Sequence, residues 1–297
     1  MVEHRQFTTA DGRTLDVHLA GAEEGGVVLF HHGTPGAGLP SPELETALTE
    51  RNLRYVSAAR PGYAGSSRQP GRSVGDVARD AVAVLDQLGV RRCYTMGWSG
   101  GGPHTLACAA VLADRVTAAT VVASAAPNDA AGLDFLAGMG QENIDEFGSA
   151  IAGTESLVPF LEAWAPQMRS VTGEEIADAL GDLIPPIDRA ALTGDFAASV
   201  AADIRHALEG GIWGWHDDDL AFVRPWGFDL ASIRVPLTLW QGEQDRMVPF
   251  AHGTWLARHV PGVRAHLLPE HGHLSLAVSS IGLILDELVG SAAEIAR

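Results

Sequence analysis

The sequence predicts an α/β fold, a mostly parallel β-sheet with helices on both faces, and three observations carry that expectation. Short apolar runs alternate with amphipathic helical patterns along 297 residues, the order that parallel strands and their crossovers require. A glycine-flanked serine, Ser99, stands where one such run passes into an alanine-rich helical pattern. Between residues 128 and 229 the strand signals stop while helical patterns continue, so this part reads as an insertion.

Taken in order, Phe7-Thr8 and residues 15–19 flank Asp11-Gly12, a pair suited to the tight turn of a hairpin. Buried-strand runs follow at 27–30, 55–58, 94–96, 120–123, 237–240 and 265–268. Ser41-Pro42 has the form of a helix start, a hydroxyl cap followed by a proline at the first helical position, and leads into residues 43–51. After Ser73, the residues Val74, Val77, Ala78, Ala81, Val82, Leu85 and Leu88 keep helical spacing until Gly89 stops the pattern. Within the insertion, Leu157, Phe160, Leu161, Trp164 and Met168 share one helical face. Thr172 and Glu175 have capping-box spacing ahead of Ile176, Leu180, Leu183 and Ile184. Phe196, Val200, Ile204 and Leu208 form a further stripe that ends at Gly210-Gly211. The expected division is a core of residues 1–127 and 230–297 around a helical segment at 128–229.

A chain with 46% hydrophobic and 19% charged residues can build a sizeable core. Its 37 acidic against 20 basic residues give a net charge of −17, which repels phosphate backbones and anionic headgroups. The expected partner is therefore a small-molecule substrate, with neither nucleic acid nor membrane, and with a homo-oligomer compatible. The densest acidic cluster, Asp217, Asp218 and Asp219, reads as a solvated loop. Cys93 and Cys108 fall in apolar strand and helix patterns and read as small core residues. The first residues have scattered charges and no apolar run with a cleavage site, and no run approaches bilayer length, so a cytoplasmic location is the expectation.

The chemistry-bearing signal is Gly97-Trp98-Ser99-Gly100-Gly101. A strand-to-helix turn this sharp strains the serine backbone and leaves its neighbours no room for side chains, while it lifts the hydroxyl out of the sheet. A serine hydroxyl needs a base at neutral pH, and twelve histidines are available. His273 follows the last strand run and precedes a C-terminal helix; loops at the carboxyl ends of parallel strands converge, so it can meet Ser99. His271 is the rival. An imidazole base needs a carboxylate on its other nitrogen, and Asp245, beyond the strand run at 237–240, fits, with Glu243 and Asp129 as fallbacks. Phe30-His31-His32-Gly33-Thr34-Pro35-Gly36 lies where amide donors to an oxyanion are needed, and the Thr34 and Gly100 N–H groups are the expected pair. Trp98, Trp213, Trp215 and Trp226, with Phe222 and Phe228, are the expected aromatic lining of a substrate pocket.

His32-Gly33-Thr34-Pro35-Gly36, Arg60-Pro61-Gly62-Tyr63, the Gly97 to Gly101 turn, Gly242-x-x-Asp245 and Gly272-His273 together resemble the α/β-hydrolase superfamily, over nearly the whole chain outside the insertion. The resemblance implies an eight-stranded, mostly parallel sheet, a helical cap formed by residues 128–229, a Ser-Asp-His triad, no cofactor and no metal. The chain departs from it at Ala59, where many members have aspartate, and at Ala64, where glycine is usual. Epoxide hydrolases and haloalkane dehalogenases of this fold use an aspartate where Ser99 stands, which disfavours both chemistries. Prolyl aminopeptidases are similar around the His-Gly-x-Pro-Gly run but differ at Thr34 and at the serine turn. The expected activity is hydrolysis of a small apolar carboxylic ester. A prolyl aminopeptidase, a cofactor-free perhydrolase or haloperoxidase, a carbon–carbon bond hydrolase and a slow-turnover receptor are the alternatives.

Overall fold

The computed structural model describes residues 2–295. Eight strands form one sheet: β1 (Glu3–Thr8), β2 (Thr14–Gly21), β3 (Gly26–His31), β4 (Leu53–Ala58), β5 (Cys93–Trp98), β6 (Val116–Val122), β7 (Leu237–Gly242) and β8 (Arg264–Leu268). Their spatial order is β1-β2-β4-β3-β5-β6-β7-β8. β2 runs antiparallel to β1 and to β4, and every other neighbouring pair is parallel. The antiparallel pair at the edge is the expected hairpin, with Gly12 supplying a φ of +83° at its turn.

Helices α1 (Pro42–Glu50), α2 (Val77–Gln87) and α3 (Gly101–Val111) alternate with the strands. Between β6 and β7 lie α4 (Gln141–Ala152), α5 (Thr154–Ser170), α6 (Ile176–Ala179), α7 (Pro186–Ala191), α8 (Gly194–Ala207) and α9 (Trp213–Phe222). α10 (Phe250–His259) and α11 (His273–Ile295) are the last of the described elements. Ser41 caps α1 by accepting the Leu44 N–H at 3.2 Å.

Because successive strand residues face opposite ways, both faces of the central strands are buried in separate clusters. Leu29, Val56, Val121 and Leu239 pack with Val84, Leu85, Leu106 and Leu256 on one face. Val28, Phe30, Tyr55, Val122 and Trp240 meet Leu44, Leu48, Leu276, Ile284, Leu285 and Leu288 on the other. Truncating one such leucine to alanine costs about 2–5 kcal/mol. A third cluster, built on Leu157, Leu161, Ile176, Ala201 and Leu208, is the core of the inserted helices.

Three readings of the sequence are corrected here. Asp217, Asp218 and Asp219 are not a solvated loop: they sit inside α9 and are buried. At its C-terminal end the insertion also packs into the sheet core. α9 gives Trp215 and Leu220 to the insertion cluster but Ala221 and Phe222 to the sheet cluster. Thr172 N–H and Oγ1 both donate to the Glu175 carboxylate, at 3.1 and 2.8 Å, which is one half of a capping box; the helix that follows ends at Ala179, and Gly181 at φ +52° turns the chain before Leu183 and Ile184. Finally, α11 contains a 20-residue stretch, His273–Ala292, that is long and apolar enough to cross a membrane by length and composition. Here its apolar face covers the sheet through Leu276, Ile284, Leu285 and Leu288.

Candidate active site

The turn from β5 into α3 places Ser99 at φ +56°, the left-handed region that L-residues avoid. The surroundings hold it there. Ser99 N–H donates to the Val122 carbonyl at 2.9 Å, and its own carbonyl accepts from Gly102 N at 2.9 Å. A Cβ at Gly101 would collide with the His31 carbonyl, and one at Gly97 with the Gly101 carbonyl and Thr105 Oγ1, so neither position accepts a side chain.

Asp245 lies on the loop after β7 and is buried. Its Oδ1 accepts the Met247 and Val248 amides at 2.9 and 2.8 Å, while Oδ2 accepts from Gln241 Nε2 at 3.1 Å and bonds His273 Nδ1 at 2.8 Å. Nδ1 therefore carries the proton and leaves Nε2 as the basic nitrogen. Burial opposes the charged imidazole, but Asp245, by charge and by hydrogen bond, and Asp188 together hold the His273 pKa above the ordinary histidine value. Asp188 is a second carboxylate at this site, one without a recognisable motif. It stands on α7 with no exposed surface, and its carboxylate accepts the His273, Leu274 and Ser275 amides at 2.8, 3.0 and 2.8 Å, capping α11 where His273 begins. Its only sequence signal is the Pro185-Pro186 helix start; the partners are more than eighty residues away.

The loop after β3 packs against the serine turn. A Cβ on Gly33 would stand 3.6 Å from Ser99 Cβ and 4.0 Å from Ser99 Oγ, and one on Gly100 would overlap Thr34 Oγ1. The two expected amide donors, Thr34 and Gly100, are thus neighbours beside Ser99. Arg60 fixes this loop: its guanidinium donates to the His32 carbonyl at 2.5 Å, to the Gly33 carbonyl at 2.8 Å and to Thr34 Oγ1 at 3.0 Å. His32 Nε2 accepts the Arg60 amide at 3.0 Å, so Nδ1–H donates to the Gly33 carbonyl at 2.8 Å. Burial, then the Arg60 charge, hold His32 well below the usual histidine pKa, hence neutral.

Behind Arg60 lies Asp218 of α9. It accepts from Arg60 at 2.6 Å, Arg72 at 2.7 Å, Tyr63 Oη at 2.9 Å and Thr34 Oγ1 at 2.9 Å. Burial alone would raise its pKa; Arg60, Arg72 and His104 overrule that and keep the carboxyl well below the ordinary range. Asp217 pairs with Arg68 at 2.8 Å. Among the described residues Asp219 has no N–H or O–H donor to either oxygen, and its neighbour is another carboxyl, Glu146. Burial and the adjacent carboxylates push Asp219 well up, and burial raises Glu146 to about 7 although Trp215 Nε1 donates to it at 2.7 Å. Both shifts favour the protonated form, in which one carboxyl can donate to the other.

Ser99 and His273 line one cavity of about 230 Å³ between the strand ends and the inserted helices. Its walls are chiefly aromatic and aliphatic, among them Phe135, Phe147, Phe160, Trp164 and Phe196, with Glu146 among the polar groups. Trp98 and Trp215 line it as expected, and the Trp98 ring lies 5.3 Å from the His273 ring. Trp213 and Trp226 do not. Trp213 is 39% exposed and stacks under Arg68 at 4.0 Å, whereas Trp226 is a core residue paired with Phe228. The rival residues fall away too: Glu243 and Asp129 are exposed, and Asp245 bonds His273 rather than His271. Ala64, where the resemblance expects glycine, does adopt a left-handed φ of +44°.

Residues 26–279 match the family model for the alpha/beta hydrolase fold. An uncharacterized hydrolase of Bacillus subtilis, YcgS, is 32% identical over 114 residues, 38% of this chain and 39% of that protein. The match thus spans well under half of the relative's length. A 2-hydroxymuconate semialdehyde hydrolase of Pseudomonas putida is 26% identical over 272 residues, 91% of this chain and 87% of its own. The crystal structure of a hydrolase from Pseudomonas aeruginosa PA01 superposes with a TM-score of 0.69 at 21% identity, covering 97% of this chain and 98% of that one. The family match, the eight-stranded sheet and the residues at its strand ends agree, and this chain belongs to the α/β hydrolase fold family.

Proposed function

We propose that the chain is a serine hydrolase that cleaves a small, apolar carboxylic ester through an acyl-enzyme on Ser99, with residues 128–229 as the cap over its site. One observation carries the reading. A serine held in a left-handed turn opens into an aromatic cavity that it shares with an imidazole whose Nδ1 bonds a buried carboxylate at 2.8 Å. In the proposed steps His273 Nε2 takes the Ser99 proton as Oγ attacks the ester carbonyl, and the oxyanion forms beside the Thr34 and Gly100 amides. The imidazolium then protonates the departing alcohol. Water, deprotonated by His273, attacks the acyl group and releases the acid. The apolar walls support an apolar acyl or alcohol group.

The test is a panel of chromogenic acyl esters, a proline anilide and a peroxide assay on wild type and Ser99→Ala. The reading expects repeated turnover of short-chain aryl esters, faster than of the anilide, with loss of at least about 10⁴-fold in kcat in the variant. Undiminished ester hydrolysis by Ser99→Ala overturns it. The Pseudomonas putida relative, aligned along 91% of this chain, favours one second reading, hydrolysis of 2-hydroxymuconate semialdehyde, which joins the panel as a substrate.

A further inference from the structure

We propose that His4, Asp16 and His18, joined by His206, form a binding site for one divalent transition-metal ion of the zinc class, away from the reaction cavity. Strand register makes the cluster. β1 and β2 pair His4 directly opposite His18, and Asp16, two residues from His18, projects from the same face of the sheet. One ligand atom from each of the three lies within 4.8 Å of the others.

The fourth side chain comes from the last turn of α8. His206 Nε2 stands 3.8 Å from Asp16 Oδ2, and its ring meets His18 edge-on at 5.4 Å between centroids. On the other side His4 Nε2 contacts Asp16 Oδ1 and its ring lies 5.5 Å from that of His18. Three imidazoles thus surround one carboxylate.

Local hydrogen bonding leaves this cluster unfinished. His18 is 3% exposed, and its Nδ1 is buried without a hydrogen-bond partner among the described residues, a state that buried ring nitrogens rarely tolerate. A metal ion satisfies such a nitrogen directly. Gly65 N–H donates to Asp16 Oδ2 at 3.1 Å, the kind of outer hydrogen bond that orients a ligating carboxylate. The donor set also selects the ion. Imidazoles with a single carboxylate suit zinc and its neighbours, whereas calcium and magnesium require mostly oxygen ligands. Zinc–nitrogen bonds of about 2.0–2.1 Å put tetrahedral ligand atoms roughly 3.3 Å apart, so the cluster must contract. His4, with 52% of its side chain exposed, is free to make that movement and opens the entry path.

Bound there, the ion ties the edge hairpin to α8. The same helix carries Asp203, which accepts the Ala37 and Leu39 amides at 3.1 and 2.8 Å just beyond the Thr34 loop. None of the metal ligands takes part in the proposed acyl transfer, so the two readings stand or fall separately.

The full chain, stripped with a chelator and dialysed, is titrated with Co²⁺ alone and then with Zn²⁺. The expected result is saturable uptake of one ion per chain, with the visible absorption of four-coordinate cobalt that zinc displaces. His4→Ala, a change at an exposed position, and His18→Gln should each weaken binding by about tenfold or more. Absence of saturable uptake, or an affinity unchanged in His4→Ala and His18→Gln, overturns the site. Should His18→Gln fail to fold, His4→Ala decides alone.

Discussion

Asp245 and Asp218 are both buried carboxylates that hold a basic side chain, but they are anchored in different ways. Asp245 is secured by its own loop: the Met247 and Val248 amides and Gln241 all lie within four residues, and only His273 is distant. Asp218 has no such local support. Arg60, Tyr63, Arg72 and Thr34 come from the β3 and β4 end of the sheet, and the Asp218 carboxylate gathers all four onto α9. A locally built carboxylate can lose its charge and leave the fold standing, while one that neutralises two buried guanidiniums cannot.

The largest effect this comparison predicts is kinetic. Asp245→Asn should lower kcat by about 10⁴-fold, because the wrong tautomer of His273 is favoured, with little change in the unfolding midpoint. The pH–rate profile supplies a second readout. Catalysis needs neutral His273, so activity rises with pH through its pKa; Asp245 and Asp188 raise that value, placing the wild-type acid limb above the ordinary histidine range of about 6.5. In Asp245→Asn that limb should move to lower pH. An unshifted limb would separate His273 from the rate.

Next comes stability. Asp218→Ala leaves Arg60 and Arg72 charged and buried, and denaturant unfolding should show a loss of about 3–5 kcal/mol. A loss below about 1 kcal/mol would mean that water reaches both guanidiniums.

Two adjacent residues of α9 then give opposite pH dependences. Asp218 has a depressed folded pKa, so its contribution is present above the unfolded value of about 3.9 and is lost as pH falls through the folded value. Glu146 and Asp219 are raised, so theirs is full below about 4.3 and is lost as pH rises through the Glu146 value of about 7. Glu146→Gln should flatten the decline in stability between those limits. If the decline persists in the variant, the Glu146 carboxyl is not its source.

The smallest effect concerns the tryptophans. Trp215 lines the cavity and Trp213 does not, so Trp215→Phe should change KM for aryl esters while Trp213→Ala leaves KM unchanged and alters stability by no more than about 1 kcal/mol. Equal KM shifts in both would place the substrate outside the cavity.

The same contrast explains what the sequence disclosed. Ser99 announced itself because a steric constraint, the crowding at Gly97 and Gly101, is written within five consecutive residues. Strand runs were legible for a similar reason, since burial on both faces leaves continuous apolar segments. Asp217 to Asp219 looked like a solvated loop because consecutive acids ordinarily seek water, and the arginines that offset Asp217 and Asp218 lie about 150 residues away. Asp188 was hidden likewise, its partners being the amides of α11. Trp226 and Trp213 show the limit of composition: aromatic residues clustered in sequence are divided among cavity, core and surface.

The central claim is that Ser99 is the nucleophile made reactive by His273 and Asp245. Its most direct test is labelling of the wild-type chain with a fluorophosphonate, followed by peptide mass spectrometry. The account predicts one stable adduct on Ser99, formed far more slowly in His273→Ala. An adduct on another residue that abolishes ester turnover, or turnover that continues after Ser99 is fully modified, would contradict it.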